Sequence, residues 1–459
     1  MKKVTSYQGK NVLVLGLGKS GVNAAKLLHK VQAVVTVNDK NKASDPKAVK
    51  ELQTLGIKVV TGSHPLNLLD GCDLMVKNPG IPYDNPLVKE ALRRHLPVIT
   101  EPEIAFEVSE APLIGITGTN GKTTTTTLIG LMLEKLSKFD HVFTAGNIGT
   151  PVSLIAQKAG RKDVIVTELS SFQLNGVTAF HPHIAVLTNI YEAHTDFHGT
   201  HEKYVLAKMN ITKNQQPNDF FVVNWDNEEA RKATAASKAT RVPFSVNDTT
   251  ERGAYQRGGN LYFKDEFIMP ADQIKIPGEH NVENALAAIA VAKLLGQSIA
   301  RISEVLKTFS GVKHRTQYLT TFQDRTFYND SKATNLEATE KALAGFKQPV
   351  VLLAGGLDRG LSFDPLIPAL KKHVRALIVF GQTAKQLAAA GKKAGITSIS
   401  YEQDAAKAVP KAFTLSKPGD VILLSPACAS WDQWPTFEVR GDKYIESVEH
   451  LIKKTGEKL

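Results

Sequence analysis

Short apolar segments alternate with amphipathic segments along the first hundred residues. Apolar runs occupy residues 11–15, 33–37 and 74–76, and apolar positions recur at helical spacing through residues 20–29. Strands and helices that alternate in this way are typical of β-α-β units, whose strands lie parallel in one sheet. The pattern therefore predicts a parallel sheet with helices at the N-terminal end of the chain.

The rest of the chain continues this alternation. Its 459 residues exceed what one hydrophobic core usually supports, which suggests about three α/β domains. We expect these domains at residues 1–100, 101–311 and 312–459, with Gly296 ending the last helix of the second domain. The predicted strands of the last two domains are residues 113–117, 164–167, 184–189, 220–223, 350–353, 376–380 and 421–424, and the predicted helices are residues 281–295, 384–393 and 444–454.

Composition narrows the class of protein. The net charge is +11, but lysines and arginines are spread along the chain without a basic run that contains aromatic residues, so we expect no nucleic-acid partner. The charge suits anionic small molecules, and a basic solvated surface explains it equally well. Cys72 and Cys428 are the only cysteines, which excludes a disulfide framework and a thiolate metal cluster. No long apolar stretch or signal peptide is evident, so we expect a cytoplasmic protein with no membrane partner.

A glycine-rich segment at residues 118–124 follows an apolar run and precedes a helical pattern. Its glycines allow several N–H groups to point at one anion, Lys122 can reach phosphate oxygens, and the hydroxyl of Thr123 or Thr124 can bind Mg²⁺. Ile116 stands where the standard Walker A motif has its first glycine, so this is a shorter form of the loop. The alternative is an ordinary glycine turn with a solvated lysine.

A second glycine turn lies near the N-terminus. Gly16, Gly18 and Gly21 match the dinucleotide fingerprint, and Asp39 lies at the end of the next predicted strand. The glycines contact phosphates and the acidic residue contacts sugar hydroxyls, so the same geometry binds NAD or any other diphosphate linked to a ribose. A purely structural turn also remains open.

Polar residues follow two strands of the second domain. Glu168 ends one predicted strand, while His194 and Asp196 follow the strand that is expected to end at Asn189. Ligands gather at the carboxyl ends of parallel strands. A carboxylate, a histidine and a loop hydroxyl can hold divalent ions against phosphate oxygens there. Each residue alone also fits an ordinary loop or capping role.

The third domain carries further polar loops. His314, Arg315 and residues 328–335 combine cations with hydroxyl and amide groups, which stabilise phosphoryl groups and carboxylates. Residues 355–360 and 425–433 each follow a predicted strand. Cys428 lies in the second of these loops, and we interpret it as a packing residue rather than a nucleophile.

Taken together, these motifs resemble the Mur ligases of peptidoglycan synthesis over the whole chain. The loop at residues 118–124 is shared by all Mur ligases and by folylpolyglutamate synthases. The segments at residues 168–174, 328–335, 425–433 and 437–441 resemble the member that adds D-glutamate. The Asp-Asn-Pro-Arg type motif of the ligase that adds the third, diamino residue is absent.

The resemblance implies an N-terminal Rossmann-like domain for a uridine nucleotide, a central P-loop ATPase-like domain with a mostly parallel sheet, and a C-terminal Rossmann-like domain that closes over the amino acid. It reassigns the fingerprint from NAD to UDP. The implied enzyme is a monomer that uses ATP and two Mg²⁺ ions to join D-glutamate to the L-alanyl carboxylate of UDP-N-acetylmuramoyl-L-alanine through an acyl phosphate.

The resemblance also implies roles for individual residues. UDP-substrate contacts would be Gly18, Lys19, Ser20, Asp39, Lys40, Gly80, Asn147, Ser170 and Gln173. ATP contacts would be Gly118, Thr119, Asn120, Gly121, Lys122, Thr123, Thr124, Asn281, Asn284, Arg315 and Asp330. D-glutamate contacts would be Lys332, Thr334, Arg359, Ser430 and Phe437. Metal ligands would be Thr123, Glu168, His194 and a carbamylated Lys208, and the catalytic residues would be Lys122, His194, Lys208 and Arg315.

Two of these assignments have alternatives. His194 can act as a base instead of a metal ligand, and the sequence does not distinguish Lys208 from a surface lysine on a helix. Other functions also stay open: another amino-acid-adding Mur ligase, a folylpolyglutamate synthase-like ligase, an NAD-dependent dehydrogenase, or a P-loop ATPase without ligase activity. The dehydrogenase leaves residues 118–196 unexplained, and the ATPase leaves the polar loops of the third domain without a role.

Overall fold

The structure is a computed structural model that describes residues 1–41, 46–248 and 252–454, without the side chains of Asp196 and Ala236. The chain forms two compact units. The first contains Met1–Asp272 and Val282–Val305, and the second contains Gln273–Asn281 and Leu306–Leu459. Asp196, which the sequence suggests as a polar site residue, therefore has a side chain outside the described part.

The first sheet of the first unit is parallel throughout. Its strands are β1 (Asn11–Leu15), β2 (Val34–Asp39), β3 (Lys58–Thr61), β4 (Leu74–Lys77) and β5 (Val98–Ile99), and the accompanying helices are α1 (Lys19–Lys30), α2 (Pro46–Thr54), α3 (Pro86–Arg93) and α4 (Glu101–Val108). The order across the sheet is β3-β2-β1-β4-β5. Residues 12–15 are buried on both faces of the sheet, which explains their unbroken apolar run. This is the strand order of a Rossmann-like fold.

The second sheet of the first unit is mostly parallel and ends in an antiparallel hairpin. Its strands are β6 (Leu113–Thr117), β7 (Val142–Gly146), β8 (Val164–Glu168), β9 (Ile184–Leu187), β10 (Phe220–Asn224), β11 (Thr240–Ser245), β12 (Ala254–Arg257), β13 (Asn260–Phe263) and β14 (Glu266–Pro270). The helices in this part of the chain are α5 (Lys122–Leu133), α6 (Val152–Ala156), α7 (Ser171–Leu174), α8 (Thr195–His198), α9 (His201–Met209), α10 (Glu228–Ala233), α11 (Glu279–Leu294) and α12 (Ile299–Thr308). The order is β14-β13-β12-β11-β10-β9-β6-β8-β7. Strands β12, β13 and β14 pair antiparallel, which the sequence pattern had not predicted.

The third sheet belongs to the second unit. Its strands are β15 (Gln317–Phe322), β16 (Arg325–Asn329), β17 (Val350–Gly355), β18 (Val374–Phe380), β19 (Ser398–Tyr401) and β20 (Val421–Leu424), and its helices are α13 (Leu336–Ala344), α14 (Ile367–His373), α15 (Ala384–Lys393), α16 (Ala408–Leu415) and α17 (Phe437–Lys454). The order is β15-β16-β20-β17-β18-β19, with β15 antiparallel to β16 and the other pairs parallel. Two apolar clusters pack on this sheet.

The predicted α/β class is confirmed, and some of the predicted elements differ from the observed ones at their ends. Strand β9 ends at Leu187 rather than at Asn189, and the next two residues bond the end of β6 and the glycine-rich loop: the Thr188 amide donates to the Thr117 carbonyl, and the Asn189 carbonyl accepts from the Thr119 amide. Helix α17 starts at Phe437, seven residues before the predicted start at 444. In the described part of the chain, no helix combines the length and the apolar composition that a membrane span requires.

Candidate active site

The glycine-rich loop joins the end of β6 to the start of α5. Gly118 has φ +145° and Gly121 has φ +83°, values that glycine adopts more readily than other residues. Gly121 caps helix α5, so the first N–H groups of this helix open beside the loop. The amides of Thr119 and Asn120 donate to the carbonyl and side-chain oxygens of Asn189, both at 2.9 Å. The turn after β9 therefore holds the loop in place.

Two lysine side chains converge on one carbonyl of this loop. Lys122 Nζ donates to the carbonyls of Gly118 and Thr119, both at 2.9 Å, and Lys208 Nζ donates to the Gly118 carbonyl at 2.7 Å. Burial, and then the nearby charge of Lys122, hold the pKa of Lys208 well below its usual range. The Lys122 ammonium at a helix N-terminus favours an anion, so this arrangement suits polyphosphate. Lys122 is half-buried and its ammonium group is hydrogen-bonded to the loop, whereas the lysine of an ordinary glycine turn would be solvated.

Lys208 is buried, which the sequence could not reveal. Only 2 % of its surface is exposed, and its ammonium group lies 4.6 Å from the centre of the Tyr204 ring. The Tyr204 hydroxyl lies 2.9 Å from Thr119 Oγ1. Helix α9 therefore supports the glycine-rich loop through two side chains one turn apart, and Lys208 differs from a surface lysine.

Gly118→Ala is expected to destabilise the protein. A Cβ at this position would lie 1.9 Å from Thr188 Oγ1, on a backbone that already has φ +145°. We expect a loss of about 2 kcal/mol in the free energy of unfolding, measured by urea titration. Gly149→Ala is the control, because Gly149 has φ +111° with open space around it. Equal losses in the two variants would contradict the role assigned to close packing.

Glu168 carries a buried oxygen that has no hydrogen-bond partner among the described atoms. Its side chain is 2 % exposed, Oε1 accepts from Asn147 Nδ2 at 2.9 Å, and Oε2 is the unpaired atom. Buried polar atoms are normally paired, so Oε2 suits a cation. Thr123 is buried in the first turn of α5. Among the described residues, no three His, Cys, Asp or Glu side chains form a metal site, so a divalent ion here would need other oxygen ligands as well.

His194 is held in an unusual backbone conformation. It has φ +56°, which is uncommon for a residue with a side chain, and it precedes the short helix α8. Its ring lies 4.9 Å from the ring of Phe172 and 6.0 Å from that of Tyr204. A strained residue with a packed ring is consistent with a functional position.

The N-terminal glycine turn is closely packed. A Cβ on Gly21 would lie 2.0 Å from the Gly16 carbonyl, and a Cβ on Gly16 would lie 2.5 Å from the side chain of Asn78. Asp39 accepts a hydrogen bond from the Leu17 amide at 2.8 Å. A side chain therefore does not fit at Gly16 or Gly21, which is a structural reason for glycine at both positions. The same contacts bring the turn, Asp39 and the segment that contains Gly80 to one edge of the sheet.

The other predicted UDP contacts differ in their surroundings. Lys19, Lys40 and Gly80 are exposed and Ser20 is half-buried. Ser170 and Gln173 form a capping box at the start of α7, in which each side chain bonds the backbone N–H of the other. This hydrogen bonding means that the pair caps the start of α7, a structural role that was not predicted from the sequence.

A buried arginine in the second unit joins the loops that carry the predicted D-glutamate contacts. Arg440 is 1 % exposed and donates to the Ser331 hydroxyl at 3.0 Å, the Ser331 carbonyl at 2.8 Å and the Cys428 carbonyl at 3.1 Å. A longer bond of 3.4 Å reaches the Gly355 carbonyl. Burial lowers the pKa of Arg440 to about 10. Sequence reasoning missed this residue, although it lies in a segment singled out by the resemblance.

The predicted D-glutamate residues include one buried donor without a partner. Ser430 is 2 % exposed, and its Oγ has no hydrogen-bond partner among the described atoms. The Lys332 ammonium lies 5.5 Å from the centre of the Phe437 ring, and the exposed Arg359 guanidinium lies 5.2 Å from that of Trp431. Thr334 is half-buried.

Cys428 is buried and lies 3.3 Å from the Thr383 hydroxyl. Burial raises the pKa of its thiol, which disfavours the thiolate. This environment agrees with its interpretation as a packing residue.

The remaining predicted ATP contacts occur in both units. In the first unit, Thr125 donates to the side chain of Asn284 at 3.2 Å, and a Cβ on Gly121 would lie 2.2 Å from the same amide oxygen. In the second unit, Asp330 accepts from the Thr316 amide at 2.9 Å, and burial raises the pKa of this carboxyl to about 6. Arg315 Nε is buried without a partner among the described atoms, and Asn281 donates to the Pro277 carbonyl at 2.6 Å.

Three protein families match consecutive parts of the chain. A MurD-like N-terminal domain of Mur ligases matches residues 10–100, the Mur ligase middle domain matches residues 116–292, and the Mur ligase glutamate ligase domain matches residues 314–428.

Individual relatives extend over the full chain. The UDP-N-acetylmuramoylalanine–D-glutamate ligase of Ligilactobacillus salivarius is 64% identical, and that of Lactiplantibacillus plantarum is 59% identical, each with 100% of both chains covered. Among solved structures, UDP-N-acetylmuramate–alanine ligase MurC of Thermotoga maritima is similar with a TM-score of 0.58 and 20% identity, covering 96% of this chain and 99% of that one. At that identity the structural match supports the fold alone.

Proposed function

Since this chain belongs to the Mur ligase family, we propose that it is an ATP-dependent ligase that adds D-glutamate to the L-alanyl carboxylate of UDP-N-acetylmuramoyl-L-alanine. The observation that carries this proposal is identity of 59–64% over the full chain to enzymes with that name. In such an enzyme, residues 1–100 would form the domain that binds the uridine nucleotide. Residues 101–311 would form the domain that binds ATP, and residues 312–459 the domain that binds D-glutamate. We expect a cytoplasmic monomer that works in peptidoglycan precursor synthesis.

The reaction needs an activated carboxylate, because oxide is too poor a leaving group for direct attack by an amine. In the proposed sequence the alanyl carboxylate attacks the γ-phosphoryl group of ATP, giving ADP and an acyl phosphate. The deprotonated amine of D-glutamate then attacks the acyl carbon, and inorganic phosphate leaves. Lys122 and Arg315 would neutralise charge on the transferred group, and closure of the site would keep water from the acyl phosphate.

The residues of the first unit fit divalent ions. Glu168 offers an unpaired buried oxygen, and Thr123, His194 and a carbamylated Lys208 would complete the ligand sets for two Mg²⁺. When bound, such ions would offset the negative charge of the phosphate oxygens. We assign His194 to the metal rather than to proton transfer, as the resemblance to Mur ligases implies; its ring packs against Phe172.

We propose substrate contacts in both units, as the resemblance to Mur ligases implies. Gly18, Lys19, Ser20, Asp39, Lys40 and Gly80 would bind the uridine diphosphate, with Asn147, Ser170 and Gln173 further along that substrate. Lys332, Thr334, Arg359, Ser430 and Phe437 would bind D-glutamate. The unpaired Oγ of Ser430 and the two cations are suited to the carboxylates of that amino acid.

The direct test is ADP release from ATP with UDP-N-acetylmuramoyl-L-alanine and a panel of D- and L-amino acids. We expect release that depends on D-glutamate, and none with L-glutamate or diaminopimelate. Release with another amino acid in its place would indicate a different amino-acid-adding ligase. ATP hydrolysis that needs no amino acid would contradict the proposal.

A further inference from the structure

A fully buried lysine lies beside the proposed uridine diphosphate site and belongs to none of the proposed substrate, ATP or metal contacts. Lys77 is the last residue of strand β4, where it pairs in register with Leu15, the residue before the glycine turn. Its relative exposure is 0 %. Among the described residues, no carboxylate forms an ion pair with it. A buried charge without a counter-ion is unfavourable unless dipoles replace its water.

Backbone carbonyls supply those dipoles. Lys77 Nζ donates to the carbonyls of Ile81 at 2.7 Å, Pro79 at 3.1 Å and Asn78 at 3.4 Å, so its three protons are directed at one short loop. Burial lowers the pKa of Lys77 to about 8, which leaves the amine mostly protonated at neutral pH. The chain at residues 78–81 therefore curls around the ammonium group.

This loop in turn packs on the glycine turn. The Asn78 amide donates to the Leu15 carbonyl at 2.9 Å, and the Asn78 side chain occupies the space that a Cβ on Gly16 or Gly21 would need. Gly80 lies exposed within the same loop. The shape of residues 78–81 therefore sets the spacing between the two segments proposed to hold the diphosphate.

Aromatic rings complete the surroundings of the ammonium group. It lies 4.7 Å from the ring centre of Tyr83 and 5.6 Å from that of Phe197, distances at which a ring face attracts a cation. Phe197 lies 4.3 Å from Phe172, whose ring also packs on His194. Lys77 therefore contacts the loop of the first sheet and the aromatic residues beside the proposed metal site.

We propose that Lys77 is a positioning residue for the UDP-linked substrate, and that its ammonium group holds residues 78–81 in the shape that binds the uridine diphosphate. This inference rests on the proposed function, because it takes that site as given. Lys77 acts through the loop carbonyls and does not itself contact substrate.

The test is calorimetric binding of UDP-N-acetylmuramoyl-L-alanine, without ATP, to the wild type and to Lys77→Met and Lys77→Gln. Methionine keeps an unbranched side chain that is one atom shorter and removes every donor, so we expect the Kd to rise about tenfold. Glutamine keeps two N–H donors, so the Kd of Lys77→Gln should lie between those of the wild type and Lys77→Met. Lys89→Met is the matched control, because Lys89 is exposed on α3, and it should bind as the wild type does.

A second measurement separates positioning from general damage. The Kd for ATP should stay within about twofold in all variants, since the described hydrogen bonds of Lys77 all go to residues 78–81 and not to the loop at residues 118–124. Unchanged substrate binding in Lys77→Met, or an equal loss of ATP binding, would overturn the inference while the proposed function stands. If Lys77→Met does not fold, Lys77→Gln is judged by the same criteria. A wild type that does not bind the UDP substrate would overturn the proposed function and this inference with it.

Discussion

Replacing Lys122 with alanine is expected to reduce ADP release by about 10³-fold or more. The Lys122 ammonium bonds two carbonyls of the glycine-rich loop at the N-terminus of α5, where the γ-phosphate of ATP would lie. Its charge would act most strongly when negative charge moves during phosphoryl transfer, so the loss should fall mainly on kcat. Steady-state assays with saturating D-glutamate would measure it.

The control for this variant is Lys158→Ala. Lys158 is an exposed lysine of the first unit, outside the loop, so its removal changes the net charge equally without touching the proposed site. We expect wild-type turnover in that variant. Turnover of Lys122→Ala within a few-fold of the control would exclude the assigned role of this lysine.

Replacing Lys208 with alanine is expected to reduce turnover by about 10²-fold or more, because the proposed carbamate would be lost. Carbamylation joins the neutral amine to the carbon of CO₂ and releases one proton. Burial beside Lys122 lowers the pKa of Lys208, so a larger fraction of this amine is neutral and reactive at neutral pH than for an exposed lysine. ¹³C NMR of the wild type in ¹³C-bicarbonate should show a carbamate signal.

Lys203→Ala provides the matched comparison, since Lys203 is an exposed residue on the same helix. It should keep both the carbamate signal and wild-type turnover, whereas Lys208→Ala should lose both. Circular dichroism would confirm that each variant folds. A carbamate signal that persists in Lys208→Ala, together with normal turnover, would show that the modification lies elsewhere or has no role.

Elements that depend on local sequence were predicted well. Strand β6 has the predicted bounds, because its apolar run is enclosed by Pro112 and Gly118, and β20 and α15 also match. The hairpin of β12 and β13 was missed, although Gly258 and Gly259 both have positive φ and carry the local signal of a tight turn. The capping box of Ser170 and Gln173 was likewise readable from their spacing.

Long-range contacts decided the features that spacing cannot encode. The Lys208 ammonium reaches the Gly118 carbonyl ninety residues away along the chain, and Arg440 reaches Ser331 across 109 residues. The sequence around each residue does not distinguish it from a lysine or arginine that is exposed to solvent. Their low pKa values follow from the loss of water, which depends on which elements pack around them.

By itself, the sequence determined the α/β class and the positions of the two glycine turns, because strand alternation and glycine spacing are properties of neighbouring residues. The tertiary structure alone decided which charged groups lose their water, among them Lys77, Lys208, Glu168 and Arg440. Desolvation depends on the atoms that surround a side chain from distant parts of the chain. The proposed chemistry of this site depends on these buried charges.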